Sequence, residues 1–169
     1  SRLYVAGSFR RYRSDGQPAH LAVMSIDPRN AVLHGGFDTH AHGPVYGLSP
    51  TAGTLYISGL FDRVGGEPRK GIAAVSAGDG AVVAGFAPHL QADSTTSVQA
   101  LPHNLFVTDG PFDTSLRTLD TGARDPLAAG GLGPLVNATV ATGSGLGVAA
   151  TITTKVNAQD SGRLSFYTT

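Results

Sequence analysis

Leu3-Tyr4-Val5-Ala6-Gly7-Ser8-Phe9 returns as Leu55-Tyr56-Ile57-Ser58-Gly59-Leu60-Phe61, and again in altered form as Leu105-Phe106-Val107-Thr108-Asp109-Gly110-Pro111-Phe112. The spacing is about fifty residues, and self-similarity at such a period marks a repeat architecture, in which no unit buries its apolar surface alone.

Outward from the second copy, Pro44 to Pro88 reads as one complete unit. Val45-Tyr46-Gly47-Leu48 is a short strand with two-residue alternation, and Ser49 to Gly53 is a turn by composition. Leu55 to Phe61 is a second strand, and Val64-Gly65-Gly66-Glu67-Pro68 is the hairpin loop after it. Gly71 to Ser76 is a third strand. Ala77-Gly78-Asp79-Gly80 is a tight turn of the Asp-Gly type, which leads into Ala81-Val82-Val83-Ala84-Gly85-Phe86 as a fourth strand. Four short antiparallel strands in about fifty residues describe one propeller blade. A generic β-sandwich is the alternative, but it predicts no self-match at this period.

The units align in register through Gly7 and Gly59, Phe9 and Phe61, Pro18 and Pro68, Ala22 and Ala73, and Gly36-Phe37 and Gly85-Phe86. Val45 and Leu48 align with Val98 and Leu101. The strand glycine is expected to let the backbone of an adjacent blade approach. The following Phe is expected to cover the seam between blades, and Ala22, Ala73 and Ala74 suit a crowded sheet face. The third unit is shorter and lacks the loop of Gly16-Gln17-Pro18 and Gly66-Glu67-Pro68. A fourth begins at Leu135-Val136-Asn137-Ala138, runs through Leu146 to Ile152, and ends near Leu164-Ser165-Phe166-Tyr167. The reading is a single all-β segment with units near 1–43, 44–93, 94–134 and 135–169.

Composition agrees. Of 169 residues, 41% are hydrophobic, which excludes disorder, and only 14% are charged. Gly (23) and Pro (10) are scattered, as many turns require. Arg outnumbers Lys ten to two and Asp outnumbers Glu eleven to one, a bias away from the helix-favouring member of each pair. The formal net charge is zero, so no global field draws nucleic acid or anionic lipid. There is no Cys, which excludes disulfides, thiolate metal sites and a Cys nucleophile. No apolar run is long enough for a membrane span.

Leu3–Phe9 with Gly16-Gln17-Pro18-Ala19-His20-Leu21-Ala22-Val23-Met24-Ser25-Ile26-Asp27, and above all Leu55 to Gly80, resemble the delta-sixty-type propeller repeats of large bacterial secreted and cell-surface proteins. The resemblance covers roughly residues 2–122. It implies an extracellular or cell-surface β-propeller and carries no catalytic residue over.

Counted from the repeat, the chain holds about three and a half blades, whereas propellers close with four to eight. Both ends supply second and third strands, which would compete for one place in a four-bladed ring. The expectation is an incomplete ring, finished by remaining blades of the same protein or by another chain; two copies would give about seven blades.

Chemistry-bearing clusters are few. His34, His40 and His42 lie close together, and His40, His42 and Asp38 are the set that would ligate a transition metal. The repeat puts them in a connection between blades, where solvated loop histidines are the expected reading. Asp27-Pro28-Arg29-Asn30, Asp79-Gly80 and Asp120-Thr121-Gly122 recur at corresponding hairpins, and turn chemistry rather than calcium explains them. Arg10-Arg11-Tyr12-Arg13 is the basic cluster that could hold a phosphate or a sulfated glycan; its counterpart Asp62-Arg63-Val64-Gly65 is not basic. Gly143-Ser144-Gly145-Leu146-Gly147 is followed by no helix and offers no phosphate site. Asn137-Ala138-Thr139 is a glycosylation sequon.

No catalytic residue and no cofactor are assigned. The expected function is a non-catalytic scaffold or binding module contributing to a larger surface, fibre or multi-domain assembly, with other protein chains as partners and a glycan as a possible ligand. A propeller-type glycoside hydrolase or lyase would need two or more carboxylates on innermost strands, which Val45–Leu48, Val98–Leu101 and Val136–Val140 lack. A sugar-binding lectin would need equivalent aromatic residues in successive loops, and Tyr12 aligns with Val64.

Overall fold

The computed structural model of the chain describes residues 2–12, 18–88, 90, 97–109, 113–125, 136–142, 145–150 and 164–167. Among them there is no helix, and the architecture is all-β. Strands β1 (Leu3–Tyr12) and β2 (Pro18–Ile26) form an antiparallel hairpin. Next come β3 (Val45–Pro50) and β4 (Thr54–Gly59), then a small hairpin of β5 (Arg63–Val64) and β6 (Glu67–Pro68), then β7 (Ile72–Ser76). β3, β4 and β7 make one antiparallel sheet in that order. The pattern recurs in β8 (Ser97–Ala100), β9 (Asn104–Asp109) and β10 (Asp113–Thr118). It recurs once more in β11 (Val136–Thr142), β12 (Gly145–Ala150) and β13 (Leu164–Tyr167). None of these sheets closes on itself. The first strands lie side by side in sequence order, β3 against β8 and β8 against β11.

The turn chemistry that shapes the second unit can be read residue by residue. Gly65 (φ 58°) and Gly66 (φ 83°) connect β5 to β6 with two consecutive left-handed residues, the turn whose twist suits a two-residue hairpin and that glycine takes without a Cβ penalty.

Pairing fixes which residues of the three described copies correspond. Leu55 lies opposite Val75, Leu105 opposite Arg117 and Leu3 opposite Ile26. The repeated Leu-Tyr-Val segment therefore occupies the same place in each. After it, each unit makes the same turn. Single antiparallel bridges join Ile26 to Leu33, Val75 to Val82 and Arg117 to Arg124. The N–H groups of Asp27, Ser76 and Thr118 donate to the carbonyls of Val32, Ala81 and Ala123. The left-handed residue of the turn is Ala31, Gly80 or Gly122, with φ of 58°, 84° and 72°.

Four sequence expectations change here. The fourth strand expected over Ala81–Phe86 is reduced to the one bridge at Val82, because the N–H of Phe86 turns back onto the carbonyl of Val83 (3.1 Å). Leu48 lies opposite Ile57 and Val98 opposite Val107, so Leu48 corresponds to Val98, three residues away from the alignment that sequence similarity suggested. Met24 lies opposite Val5 and Ala73 opposite Ile57, so Met24 rather than Ala22 matches Ala73. Finally, Gly59 is crowded by its own sheet: a Cβ there would run into the carbonyl oxygen of Pro44 and come within 2.9 Å of the Cα of Val45. The glycine admits the bulged start of β3, not a neighbouring sheet.

Alternation along β4 and β7 gives the second sheet two apolar faces. Leu55, Ile57, Ala73 and Val75 pack with Val23, Phe37 and the partly buried Tyr4 and Ala6 of the first hairpin. Tyr56, Ile72 and Ala74 pack on the other side with Val98, Leu105 and Val107 of the third sheet. Sheets thus stack face to face, the tyrosine face of one on the leucine face of the next. Each fully buried Leu, Ile, Val or Phe contributes about 1.5–3 kcal/mol by leaving water, which makes these seams the main source of stability.

Candidate functional site

The seam between units is built the same way twice. The Tyr4 hydroxyl donates to the carbonyl of Ala77 (2.6 Å), and the Tyr56 hydroxyl donates to the carbonyl of Leu119 (2.8 Å). Tyr4 packs on Phe37 with ring centroids 5.5 Å apart, and Tyr56 packs on Phe86 at 5.4 Å. The N–H of Asp38 donates to the carbonyl of Asp79 (3.0 Å), and the N–H of Ala87 donates to that of Thr121 (3.2 Å). Gly80 and Gly122 lie under these crossings. A Cβ at Gly80 would come 2.6 Å from the carbonyl oxygen of Asp38, and one at Gly122 would come 2.8 Å from the Cβ of Pro88. Burial, then the charge of Asp120, pushes the Tyr56 phenol up from its ordinary value, so it stays a hydrogen-bond donor.

The aspartates of the recurring turns serve their own backbone. The side-chain oxygens of Asn30, Asp79 and Thr121, which occupy the same turn position, accept the N–H groups of Val32, Ala81 and Ala123. The Ala81 N–H and the Ser76 hydroxyl hold the Asp79 carboxyl below the usual carboxylate range.

The connection that carries the histidines is bound to the next unit. The N–H of His42 donates to the carbonyl of Arg63 (2.9 Å), and the N–H of Gly65 donates to that of Thr39 (3.1 Å). His40 has φ of 45°, so the two-residue alternation of a strand does not apply here. Its Nδ1 lies 3.5 Å from Asp38, whose other oxygen accepts the His40 N–H. His42 goes elsewhere, its Nδ1 2.7 Å from Asp62. The two imidazoles are 73% and 80% exposed and engage different carboxylates. His34 lies apart, with Nε2 buried and unpartnered among the described residues. No three His, Cys, Asp or Glu side chains among the described residues stand where they could share a metal ion.

His42 and Asp62 border an open cleft of about 330 Å³ with Leu60, Phe61 and Lys70. The hydrogen bond with His42 holds the Asp62 carboxyl below its ordinary value, aided by the nearby charges of His42 and Arg63. An imidazole oriented by a carboxylate can shuttle protons, but this one stands largely in solvent.

Of the basic cluster, Arg10, Arg11 and Tyr12 belong to β1, opposite His20, Ala19 and Pro18, while Arg13 lies outside the described residues. Arg11 pairs with Ala19 as Arg63 pairs with Pro68, and Tyr12 pairs with Pro18 as Val64 pairs with Glu67, so Val64 is the counterpart of Tyr12, and Pro18 matches Glu67 rather than Pro68. Gly143 and Ser144 of the glycine run, and Phe112 of the third repeat copy, also lie outside the described residues.

Sequence reasoning missed three buried charged residues. Arg69 (8% exposed) donates to the carbonyls of Pro68 (2.7 Å) and Ala84 (3.1 Å). Arg117 (5% exposed) donates to the carbonyl of Gly122 (3.1 Å). Burial lowers the affinity of its guanidinium for its proton, and the buried Asp109 opposes that. The signal was present: Arg117 occupies the repeat position of Val75 and Ile26.

No protein-family model matches the chain, and neither does any curated protein.

Proposed function

We propose that this chain is a β-propeller segment, its sheets successive blades, and that it acts without catalysis as an extracellular scaffold or binding module within a larger surface or multi-domain assembly. The observation that carries this reading is the seam made twice from equivalent parts: Tyr4 and Tyr56 to the carbonyls of Ala77 and Leu119, over Phe37 and Phe86. A propeller stacks meandering sheets face to face with their first strands adjacent around an axis, and the neighbouring β3, β8 and β11 support that arrangement. Among the described residues, the side chains of Tyr4, Tyr56 and Ser49 hydrogen-bond to backbone groups of the following unit. No helix of the described residues is long and apolar enough to cross a membrane.

An experimental structure tests the architecture: β3, β8 and β11 should line one axis, and two sheets packed as a sandwich would overturn it. For the role, incubation with a panel of polysaccharides should release no reducing ends. Turnover that disappears in Asp62→Asn would overturn the non-catalytic reading.

A further inference from the structure

The parts that build the seams recur from unit to unit, and one well-formed pair does not. His42 and Asp62 meet because two stretches of chain run antiparallel beside each other. The N–H of His42 donates to the carbonyl of Arg63 (2.9 Å), the N–H of Asp62 to that of His42 (3.4 Å), and the N–H of Leu60 to that of Pro44 (3.0 Å). Gly43 (φ 134°) permits the approach, since a Cβ there would run into the carbonyl oxygen of Leu60. The pair thus stands on backbone that is fixed from both sides. In the first unit the position of Asp62 is taken by Arg10, because Arg11 matches Arg63. The repeated architecture therefore does not require a carboxylate at this place.

The cleft that the pair borders, about 330 Å³, falls at the lower end of the range of small-molecule sites, about 300–1,000 Å³. A carboxylate only accepts hydrogen bonds, so Nδ1 of His42 is the donor at 2.7 Å, and Nε2 of the neutral ring is an acceptor. The second oxygen of Asp62 adds another acceptor. Leu60, 48% exposed, gives the same cleft an apolar wall, and Lys70 brings a positive charge that balances Asp62. Neighbouring acceptors beside an apolar wall, with no excess of charge, suit a molecule with hydroxyl groups on its rim and C–H groups on its face. They favour neither a net anion nor a net cation.

Resting on the reading of the chain as a binding module, we propose that this cleft binds a neutral pyranose ring, the terminal unit of a glycan. Neighbouring ring hydroxyls donate to His42 Nε2 and Asp62, and the C–H face of the ring rests on Leu60. The acceptors are already in place, so binding orders no new backbone.

Amide NMR of the isotope-labelled protein, titrated with methyl α-D-glucopyranoside, methyl α-D-mannopyranoside and methyl β-D-galactopyranoside, tests this. The amides of His42, Leu60, Asp62 and Lys70 should move saturably with at least one glycoside, and with neither sodium acetate nor methylammonium chloride. Asp62→Ala and His42→Ala should each weaken binding about tenfold, the loss expected for a hydrogen bond to a charged or oriented group. Their circular dichroism spectra should be unchanged, because both side chains are largely exposed. Amides that no glycoside moves, movement by acetate or methylammonium alone, or binding that survives both alanine variants overturns the proposal. A chain that binds no glycoside, and whose experimental structure still shows sheets about one axis, refutes the sugar site and leaves the scaffold reading intact. Release of methanol from a glycoside, lost in Asp62→Asn, keeps the sugar at this pair and refutes the non-catalytic reading instead.

Discussion

The second and third sheets share a backbone plan and differ in what they bury. Val75 becomes Arg117, Ala73 becomes Ser115, Gly59 becomes Asp109, and Tyr56 becomes Phe106. In the second sheet the leucine face is wholly apolar. In the third the corresponding row contains Leu105 and Val107 together with Ser115 and Arg117, whose Oγ and Nε atoms are buried without partners among the described residues. The pairing pattern survives the exchange because backbone ladders and the turn at Gly80 or Gly122 set the frame. Side chains set how strongly each sheet is held within it.

Removing the charge that steadies Arg117 should produce the largest difference. Asp109→Ala leaves a buried guanidinium less compensated and should cost about 3 kcal/mol in urea unfolding. Adding Arg117→Val, the residue of the second sheet, should recover much of that loss; a double variant no more stable than the single would remove Arg117 from the explanation. Next is the turn. Gly122→Ala places a Cβ at φ 72° against Phe86 and Pro88 and should cost about 2 kcal/mol, from left-handed strain and lost packing. A Tm unchanged by that substitution would deny the crossing its tightness.

Tyr56→Phe copies the third sheet into the second. It should cost about 1 kcal/mol, the net value of one hydrogen bond to the Leu119 carbonyl. A neutral result would mean that ring packing on Phe86 alone makes the seam. The smallest effect concerns acid. Asp79 has a folded pKa below its unfolded value, so its contribution is present above the ordinary carboxylate range and is lost as pH falls through the folded value. The amide of Ala81 should therefore lose hydrogen-exchange protection at a pH below that range, and Asp79→Asn should abolish the change. The amide of Val32, held by the uncharged Asn30, serves as the internal comparison.

Much of the fold was legible because strand segments repeat their apolar residues: Leu3-Tyr4-Val5 and Leu55-Tyr56-Ile57 match in sequence as they do in the sheets. The turn aspartates were legible too, since Asp-Gly has a local mechanism. What failed depended on partners. Sequence similarity set Val45 and Leu48 against Val98 and Leu101, but cross-strand pairing, which no single segment encodes, shifts the match by three residues. The fourth strand looked plausible in Ala81-Val82-Val83 and was cut short by a turn onto Val83. At the histidine connection, solvated loop histidines were the expected reading, and the spacing of His40 and His42 left a shared ligand as the lesser alternative. The left-handed His40 and the distant Asp62 separated them, and neither is visible in the spacing.

The tyrosine seam has one more consequence. The second unit carries both a hydroxyl donor for the unit after it, Tyr56, and a turn carbonyl for the unit before it, that of Ala77, so both halves of the joint travel within a single period. Tandem duplication of one period would deliver a new member with both of its couplings already in place, and deletion of one would bring compatible neighbours together. Chains of this design can lengthen or shorten over evolutionary time without redesigning any interface.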